Sequence, residues 1–309
     1  MTLPFAIKVV EVGPRDGFQM EKIFIPTEKK IELVNSLARC GFTRMEVTSF
    51  ISPKAIPQMR DAADVIAGID RSTGVQVAAL VPNPKGAENA AAAGVDEMVT
   101  FVSASESHNR SNVNRTISES LSGFETVVRI AREAKITVAT GIAVAFGCPF
   151  EGDVPAERVA GIVGRLLDFG VHAFTLGDTT GLATPPIVKH TCEHLLNQYP
   201  GLELSLHFHN TRGIGLVNVF AALQLGLTTF ESSVGGLGGC PFAPGATGNV
   251  CTEDMIYLFH ELGIRTGIDL EELIRVARQV EDVIGRPLPG QVMKSGTRSC
   301  RYPLPKTHN

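Results

Sequence analysis

The chain has 309 residues, 44% of them hydrophobic, with a formal net charge of −4 and no tryptophan. That is enough apolar material for one large α/β barrel or two modest domains, and with no basic run the composition excludes nucleic acid as an expected partner. No apolar run approaches the ~20 residues of a membrane span, and residues 1–10 carry one lysine and no cleavage signature, so a cytoplasmic protein without a targeting peptide or membrane partner is expected.

Apolar strand-like runs alternate with segments of helical period along the chain. In order, the predicted strand and helix pairs are 7–12 and 27–40, 44–48 and 60–69, 75–80 and 84–93, and 97–102 and 117–134. They continue with 136–146 and 156–169, 172–176 and 185–198, 202–208 and 215–225, and 228–232 and 253–262. A further helix is predicted over 270–284. Eight strand–helix units predict an α/β fold of the (β/α)8 TIM-barrel type. One domain over 1–309 is the economical reading, with the barrel at about 6–265 and a C-terminal helix and tail at about 266–309. A doubly wound open sheet is the rival. It would more often place a glycine-rich phosphate turn after its first strand, where this chain has Pro14-Arg15-Asp16.

Thr27 before Glu28, and Pro155 after Asp153, read as helix starts. Cys40-Gly41 reads as a stop, with glycine at the C′ position. The tail from 287 onward is rich in Pro, Gly, Lys and Arg and is expected to wrap the surface or be partly disordered. Six cysteines, at 40, 148, 192, 240, 251 and 300, form no Cys-x-x-Cys pair, which leaves no zinc knuckle or dithiol motif. Free thiols are expected. Cys240 stands apart because its neighbours are glycines and prolines rather than a core-facing run.

Function in such a barrel sits at the C-terminal ends of the strands, and polar residues gather there. Arg15 and Asp16 follow the first strand, and Glu46, Thr48 and Ser49 end the second. Ser103 follows the fourth, Asp178 and Thr179 the sixth, and Ser232 and Ser233 the eighth. His207-Phe208-His209 ends the seventh, so both imidazoles share one face of a strand. Asp16, His207, His209 and Asn249 offer two nitrogens and two oxygens and leave positions for water or substrate. That set favours Mg²⁺ or Mn²⁺ over tetrahedral Zn²⁺. Arg15 beside a metal carboxylate needs a partner, and Glu46 on the adjacent strand is the natural one; its guanidinium would then hold a developing enolate oxygen. The glycine-rich stretch 235–248 carries Cys240, a candidate proton donor on a loop expected to close over the site.

Four segments carry a resemblance. They are Val10-Glu11-Val12-Gly13-Pro14-Arg15-Asp16-Gly17, Glu46-Val47-Thr48-Ser49-Phe50-Ile51-Ser52-Pro53-Lys54, Gly147-Cys148-Pro149-Phe150-Glu151-Gly152 and Gly236-Leu237-Gly238-Gly239-Cys240-Pro241. Over about 9–284 the chain resembles the hydroxymethylglutaryl-coenzyme A lyase family, one of the metal-dependent lyase barrels. The resemblance implies a TIM barrel, a divalent cation, and cleavage of a 3-hydroxyacyl-coenzyme A to acetyl-coenzyme A and an oxo acid. It assigns Arg15 and Cys240 as catalytic and Glu46 as the partner of Arg15, and it makes Asp16, His207, His209 and Asn249 the metal ligands. It puts Ser49, Asn112 and Thr179 in the substrate pocket and Lys22 near the coenzyme phosphates. The general base stays open between His207 and Asp16, and self-association stays open as well. A condensing acyltransferase of the isopropylmalate synthase type is the alternative reading. Three stretches depart from the family pattern: Ala139-Thr140-Gly141, Ser107-His108-Asn109-Arg110 and Asn210-Thr211-Arg212-Gly213. They predict an altered acyl pocket around intact metal and acid groups.

Overall fold

Eight short runs in which every second residue is apolar each lead into a segment of helical period, and together they close a cylinder. The computed structural model describes residues 3–239 and 248–303. Its strands are β1 (Lys8–Glu11), β2 (Arg44–Ser49), β3 (Gln76–Leu80), β4 (Glu97–Ser103), β5 (Thr137–Ala143), β6 (Ala173–Asp178), β7 (Glu203–Phe208) and β8 (Thr229–Ser232). They lie parallel in sequence order, and β8 pairs back onto β1 to close the barrel. The helices are α1 (Thr27–Arg39), α2 (Ala62–Ala67), α3 (Pro84–Ala93), α4 (Glu106–Val113), α5 (Ile117–Glu133), α6 (Ala156–Phe169), α7 (Pro185–Gln198), α8 (Gly215–Leu223), α9 (Thr252–Glu261), α10 (Leu270–Ile284) and α11 (Val292–Ser295). The (β/α)8 barrel expected from the alternation is the fold.

Strand alternation sorts the side chains. Met45, Val47, Phe174, Leu206, Phe208 and Phe230 face the helices and join one continuous apolar layer with them. Each such buried side chain contributes roughly 1.5–3 kcal/mol. The opposite face is unusually polar. It holds a small separate apolar cluster of Ala78, Leu80 and Val99 against Phe101. Around that cluster the inward charges are paired, as burial demands. Arg44 bonds Glu97 across 2.5 Å at the N-terminal end of the barrel, and Thr175 donates to Glu231 at 2.8 Å in its middle.

Several boundaries differ from expectation for local reasons. β5 ends at Ala143, not 146, because Val144 takes a left-handed φ of 53°. The Val144 N–H donates to Thr179 Oγ1 at 2.9 Å, which fixes that turn. α2 covers only Ala62–Ala67, because Arg60 closes the 3₁₀ turn Pro57–Met59 and Gly68 caps the helix C-terminus. α4 was not expected; Ser105 caps it by accepting the His108 N–H at 3.1 Å. Thr27 begins α1 but does not cap it, and its hydroxyl donates to Asp61 Oδ2 at 2.8 Å instead. Gly41 does follow α1 with a φ of 104°, and an added Cβ there would lie 2.4 Å from the Gly267 carbonyl. The tail wraps the surface as far as it is described. Leu288 and Met293 are buried, and Leu288 N donates to Glu281 of α10 while Val292 N donates to Asp254 of α9.

Candidate active site and metal centre

The chain leaves β1 through a single π-helical turn at Gly13–Gly17, with Pro14, which has no N–H to lose, in its first positions. The Asp16 N–H donates to Val12 O at 2.7 Å, so Arg15 and Asp16 are held at the mouth of the barrel. Arg15 reaches sideways to β2. Its Nε and Nη2 donate to the two oxygens of Glu46 at 2.7 and 3.0 Å, and Nη1 donates to Asp16 Oδ1 at 2.7 Å. Burial works against the Arg15 charge, but Glu46 and then Asp16 outweigh it and raise its pKa further. β2 shifts register between Glu46 and Thr48, a bulge at Val47 of the kind that re-aims a side chain beside a site.

β7 supplies the histidines. Phe208 is buried in the outer apolar layer, which turns His207 and His209 to the other face. Asn249 is brought opposite them by a short antiparallel bridge, in which Val250 N donates to Phe208 O and Asn210 N to Gly248 O. The Asn249 amide has one consistent orientation. Its Nδ2 donates to Asp16 Oδ2 at 2.8 Å and to Leu237 O at 2.9 Å, so its Oδ1 faces His207 Nε2 at 2.7 Å. On the other side of the ring, His207 Nδ1 lies 3.1 Å from Glu231 Oε2. Each ring nitrogen thus faces an oxygen, a carboxylate at Nδ1 and an amide carbonyl at Nε2. Burial depresses the His207 pKa, yet the bond to Glu231 and its charge raise it overall. His209 is the opposite case: burial, then the neighbouring His207, push it down to about 3, so it is a neutral imidazole. Its Nδ1 is buried with no hydrogen-bond partner among the described residues.

Asp16, His207 and His209 each offer a ligand atom, all within 4.8 Å of one another. The orphaned His209 nitrogen, the adjoining carboxylate and the Asn249 oxygen fit a divalent cation. Burial would raise the Asp16 pKa, but Arg15 and His207 hold it below the ordinary value, so the carboxylate is ionised. Gln19 Nε2 adds a donor to Asp16 Oδ1 at 3.1 Å. Gly238 passes directly over this group with a φ of 103°, and a Cβ there would come within 2.7 Å of Asn249 Nδ2 and 3.1 Å of Asp16 Oδ2.

Below the rim, two buried carboxyls hold the flanking loops. Glu11 Oε1 accepts from Gly13 N at 2.7 Å and from Val234 N at 2.9 Å, tying the turn after β1 to the loop after β8. Glu253 Oε2 accepts from Gly235 N at 3.0 Å, while its Oε1 has no hydrogen-bond partner among the described residues. Burial raises the Glu253 pKa to about 8.

The sequence-derived residues therefore divide. Arg15, Asp16, Glu46, His207, His209 and Asn249 converge. Ser49 is buried at the end of β2, its Oγ accepting from Ile51 N at 3.2 Å. Thr179 is half-buried and holds the Val144 turn. Lys22 is exposed and lines a cavity of about 450 Å³ with Ile23, Phe24 and Arg286. Asn112 is exposed on α4. Cys240 lies outside the described residues. Glu231 and Glu11 are additions the sequence reading missed. The available signal was an acid in each of two short apolar strands, Glu231 on the same strand face as Thr229 and opposite to Phe230.

The three departing stretches line or brace this mouth. Gly141 puts no side chain on the β5 wall, and an added Cβ there would sit in ordinary contact with Thr100 O at 3.8 Å and Phe101 Cβ at 3.9 Å. Arg212 Nη1 donates to Thr180 O at 3.0 Å and Gly181 O at 2.7 Å, bracing the loop after β7 against the loop after β6. His108 Nδ1 lies 2.7 Å from Ser103 Oγ, and Asn109 Oδ1 accepts from Ser103 N at 3.1 Å, fixing the end of β4.

A closed parallel barrel with an Asp-His-His cluster and a clamped arginine at the C-terminal ends of its strands defines a (β/α)8 enzyme scaffold with a candidate divalent-cation centre. The HMGL-like family model matches residues 6–280, and the chain belongs to that family. It is 47% identical over 298 residues to a hydroxymethylglutaryl-CoA lyase of Bacillus subtilis, covering 96% of this chain and 100% of that one. It is 43% identical to the mitochondrial hydroxymethylglutaryl-CoA lyase of Rattus norvegicus, covering 95% and 90% of the two chains. Among solved structures, an HMG-CoA lyase from Acinetobacter baumannii in complex with coenzyme A and 3-methylmalate superposes with a TM-score of 0.94 at 44% identity, covering 99% and 100%.

Proposed function

We propose that this protein is a divalent-cation-dependent carbon–carbon lyase. It cleaves 3-hydroxy-3-methylglutaryl-CoA, or a closely related branched 3-hydroxyacyl-CoA, to acetyl-CoA and acetoacetate or the corresponding oxo acid. The observation that carries this reading is the Arg15 guanidinium, locked by Glu46 beside Asp16 and the two histidines. Full-length kinship with hydroxymethylglutaryl-CoA lyases supports the substrate class.

Asp16, His207, His209 and Asn249 would hold Mg²⁺ or Mn²⁺, which as a Lewis acid lowers the pKa of the substrate hydroxyl. His207 or Asp16 accepts that hydroxyl proton as general base. The electrons of the cleaved bond pass into the thioester, giving the enolate of acetyl-CoA and a ketone on the departing acid. Arg15 stabilises the enolate oxygen. Cys240 donates the proton that converts the enolate carbon to the methyl group. Ser49, Asn112 and Thr179 are proposed acyl-pocket residues, and Lys22 a coenzyme contact. A cytoplasmic location and a homo-oligomer belong to the same proposal. Among the described residues no helix is long and apolar enough to cross a membrane.

The test is direct: purified protein with Mg²⁺ or Mn²⁺ and 3-hydroxy-3-methylglutaryl-CoA should release acetyl-CoA and acetoacetate in equal amounts. No cleavage of this or any branched 3-hydroxyacyl-CoA would reject the assignment.

A further inference from the structure

We propose that Glu231 is a positioning residue for the metal centre, holding the His207 ring so that Nδ1–H turns to the carboxylate and Nε2 turns to the cation position. The inference rests on the metal-centre reading above and adds to it a residue that no ligand set includes.

Glu231 and His207 are register partners on adjacent strands β8 and β7. Both are on the inward face, and Glu231 is 8% exposed. Both carboxylate oxygens are engaged, Oε1 by the Thr175 hydroxyl of β6 at 2.8 Å and Oε2 by His207 Nδ1 at 3.1 Å. Three consecutive strands therefore fix the carboxylate behind the imidazole. A buried carboxylate without such partners would be strongly disfavoured. Here it has a hydroxyl donor on one oxygen and a ring N–H on the other.

The consequence is a matter of tautomer and aim. An imidazole ligates through one nitrogen only if that nitrogen has a free lone pair, and the group bonded to the other nitrogen decides which one that is. A carboxylate accepts and cannot donate, so Glu231 assigns the hydrogen to Nδ1. That leaves Nε2 for the cation, and Nε2 points towards Asn249 Oδ1; with both nitrogens then engaged, Asp16 is the base of the two candidates. His207 and His209 are then presented together, with ring centroids 5.3 Å apart. Arg44 exerts a weaker pull on Glu231, but its hydrogen bond goes to Glu97.

The experiment measures Mn²⁺ affinity in the absence of substrate, by the electron paramagnetic resonance of free Mn²⁺, for wild type, Glu231→Ala, Glu231→Gln and Thr175→Val. Thermal midpoints are recorded on the same preparations without metal. Glu231→Ala should weaken Mn²⁺ binding by about 10–100-fold, the usual effect of losing such a support. Glu231→Gln should weaken it less, because its amide can still present an oxygen to Nδ1–H. Thr175→Val, which frees one carboxylate oxygen, should show a smaller loss of the same kind. Should Glu231→Ala fail to fold, the Gln and Val variants decide. Mn²⁺ affinity within twofold of wild type in both, with only the thermal midpoint lowered, would make Glu231 a filler of the polar interior and overturn the proposal. His207→Ala separates the two readings: unchanged Mn²⁺ binding in that variant would remove the metal centre itself, not merely the role of Glu231.

Discussion

Arg15 meets Glu46 through two parallel hydrogen bonds, Nε to Oε1 at 2.7 Å and Nη2 to Oε2 at 3.0 Å. A planar fork can do this and a single ammonium cannot. Arg15→Lys should therefore lower kcat by roughly 10²–10³-fold with KM little changed, by analogy with the loss of an oxyanion donor. Steady-state kinetics decides; a rise in KM alone would make Arg15 a substrate anchor instead.

Chelation should abolish turnover, and Mg²⁺ or Mn²⁺ should restore it. His209→Ala removes the nitrogen that is buried without a partner among the described residues. Metal titration should show affinity weakened by about an order of magnitude or more. Full activity in excess chelator would rule out the metal mechanism.

Acyl selectivity should differ from that of the relatives that carry the usual motifs. Gly141 puts no side chain on the β5 wall, and Arg212 braces two mouth loops. A panel of branched 3-hydroxyacyl-CoA esters should include at least one member that rivals 3-hydroxy-3-methylglutaryl-CoA in kcat/KM. A large preference for that compound over every other member would show that the departures leave the pocket unaltered.

Cys240→Ser should cause a large fall in kcat with metal affinity and thermal midpoint nearly unchanged, because a hydroxyl is a far weaker acid than a thiol. Turnover and thermal midpoint measured on one preparation suffice. Normal turnover per folded molecule with lost stability would mark a structural thiol.

Glu253 makes stability depend on pH. Burial raises its pKa from 4.5 to about 8, so between those values the folded protein holds a proton that the unfolded chain has released. Its contribution is complete below the unfolded value and is lost as pH rises through the folded one. Glu253→Gln can keep the bond to Gly235 N without a titrating proton. Its thermal midpoint should fall less than that of wild type between pH 5 and about 8; parallel curves would count against a protonated Glu253.

Much of this architecture was legible because barrel strands alternate so regularly. Phe208 between His207 and His209 announced which way the imidazoles face, and the acids and the arginine at strand ends announced the mouth. What escaped was set by distant partners. α4 is held by a Ser105 cap on a segment with little apolar content. Val144 turns left-handed where Thr179, 35 residues on, accepts its N–H. Glu231 reads locally as an odd acid in an apolar strand, and only the register of β7 with β8 shows that it backs a histidine.

The bond from Asn249 to Asp16 joins residues 233 positions apart. A chain growing from its N-terminus thus carries Arg15 and Asp16 early, with Asp16 Oδ1 held by Arg15 and Gln19 but Oδ2 waiting for Asn249 until almost the whole barrel has been made. Assembly of the candidate site and closure of the barrel are thus the same event: until β8 docks between β7 and β1, Asp16 is not held beside the two histidines and Asn249.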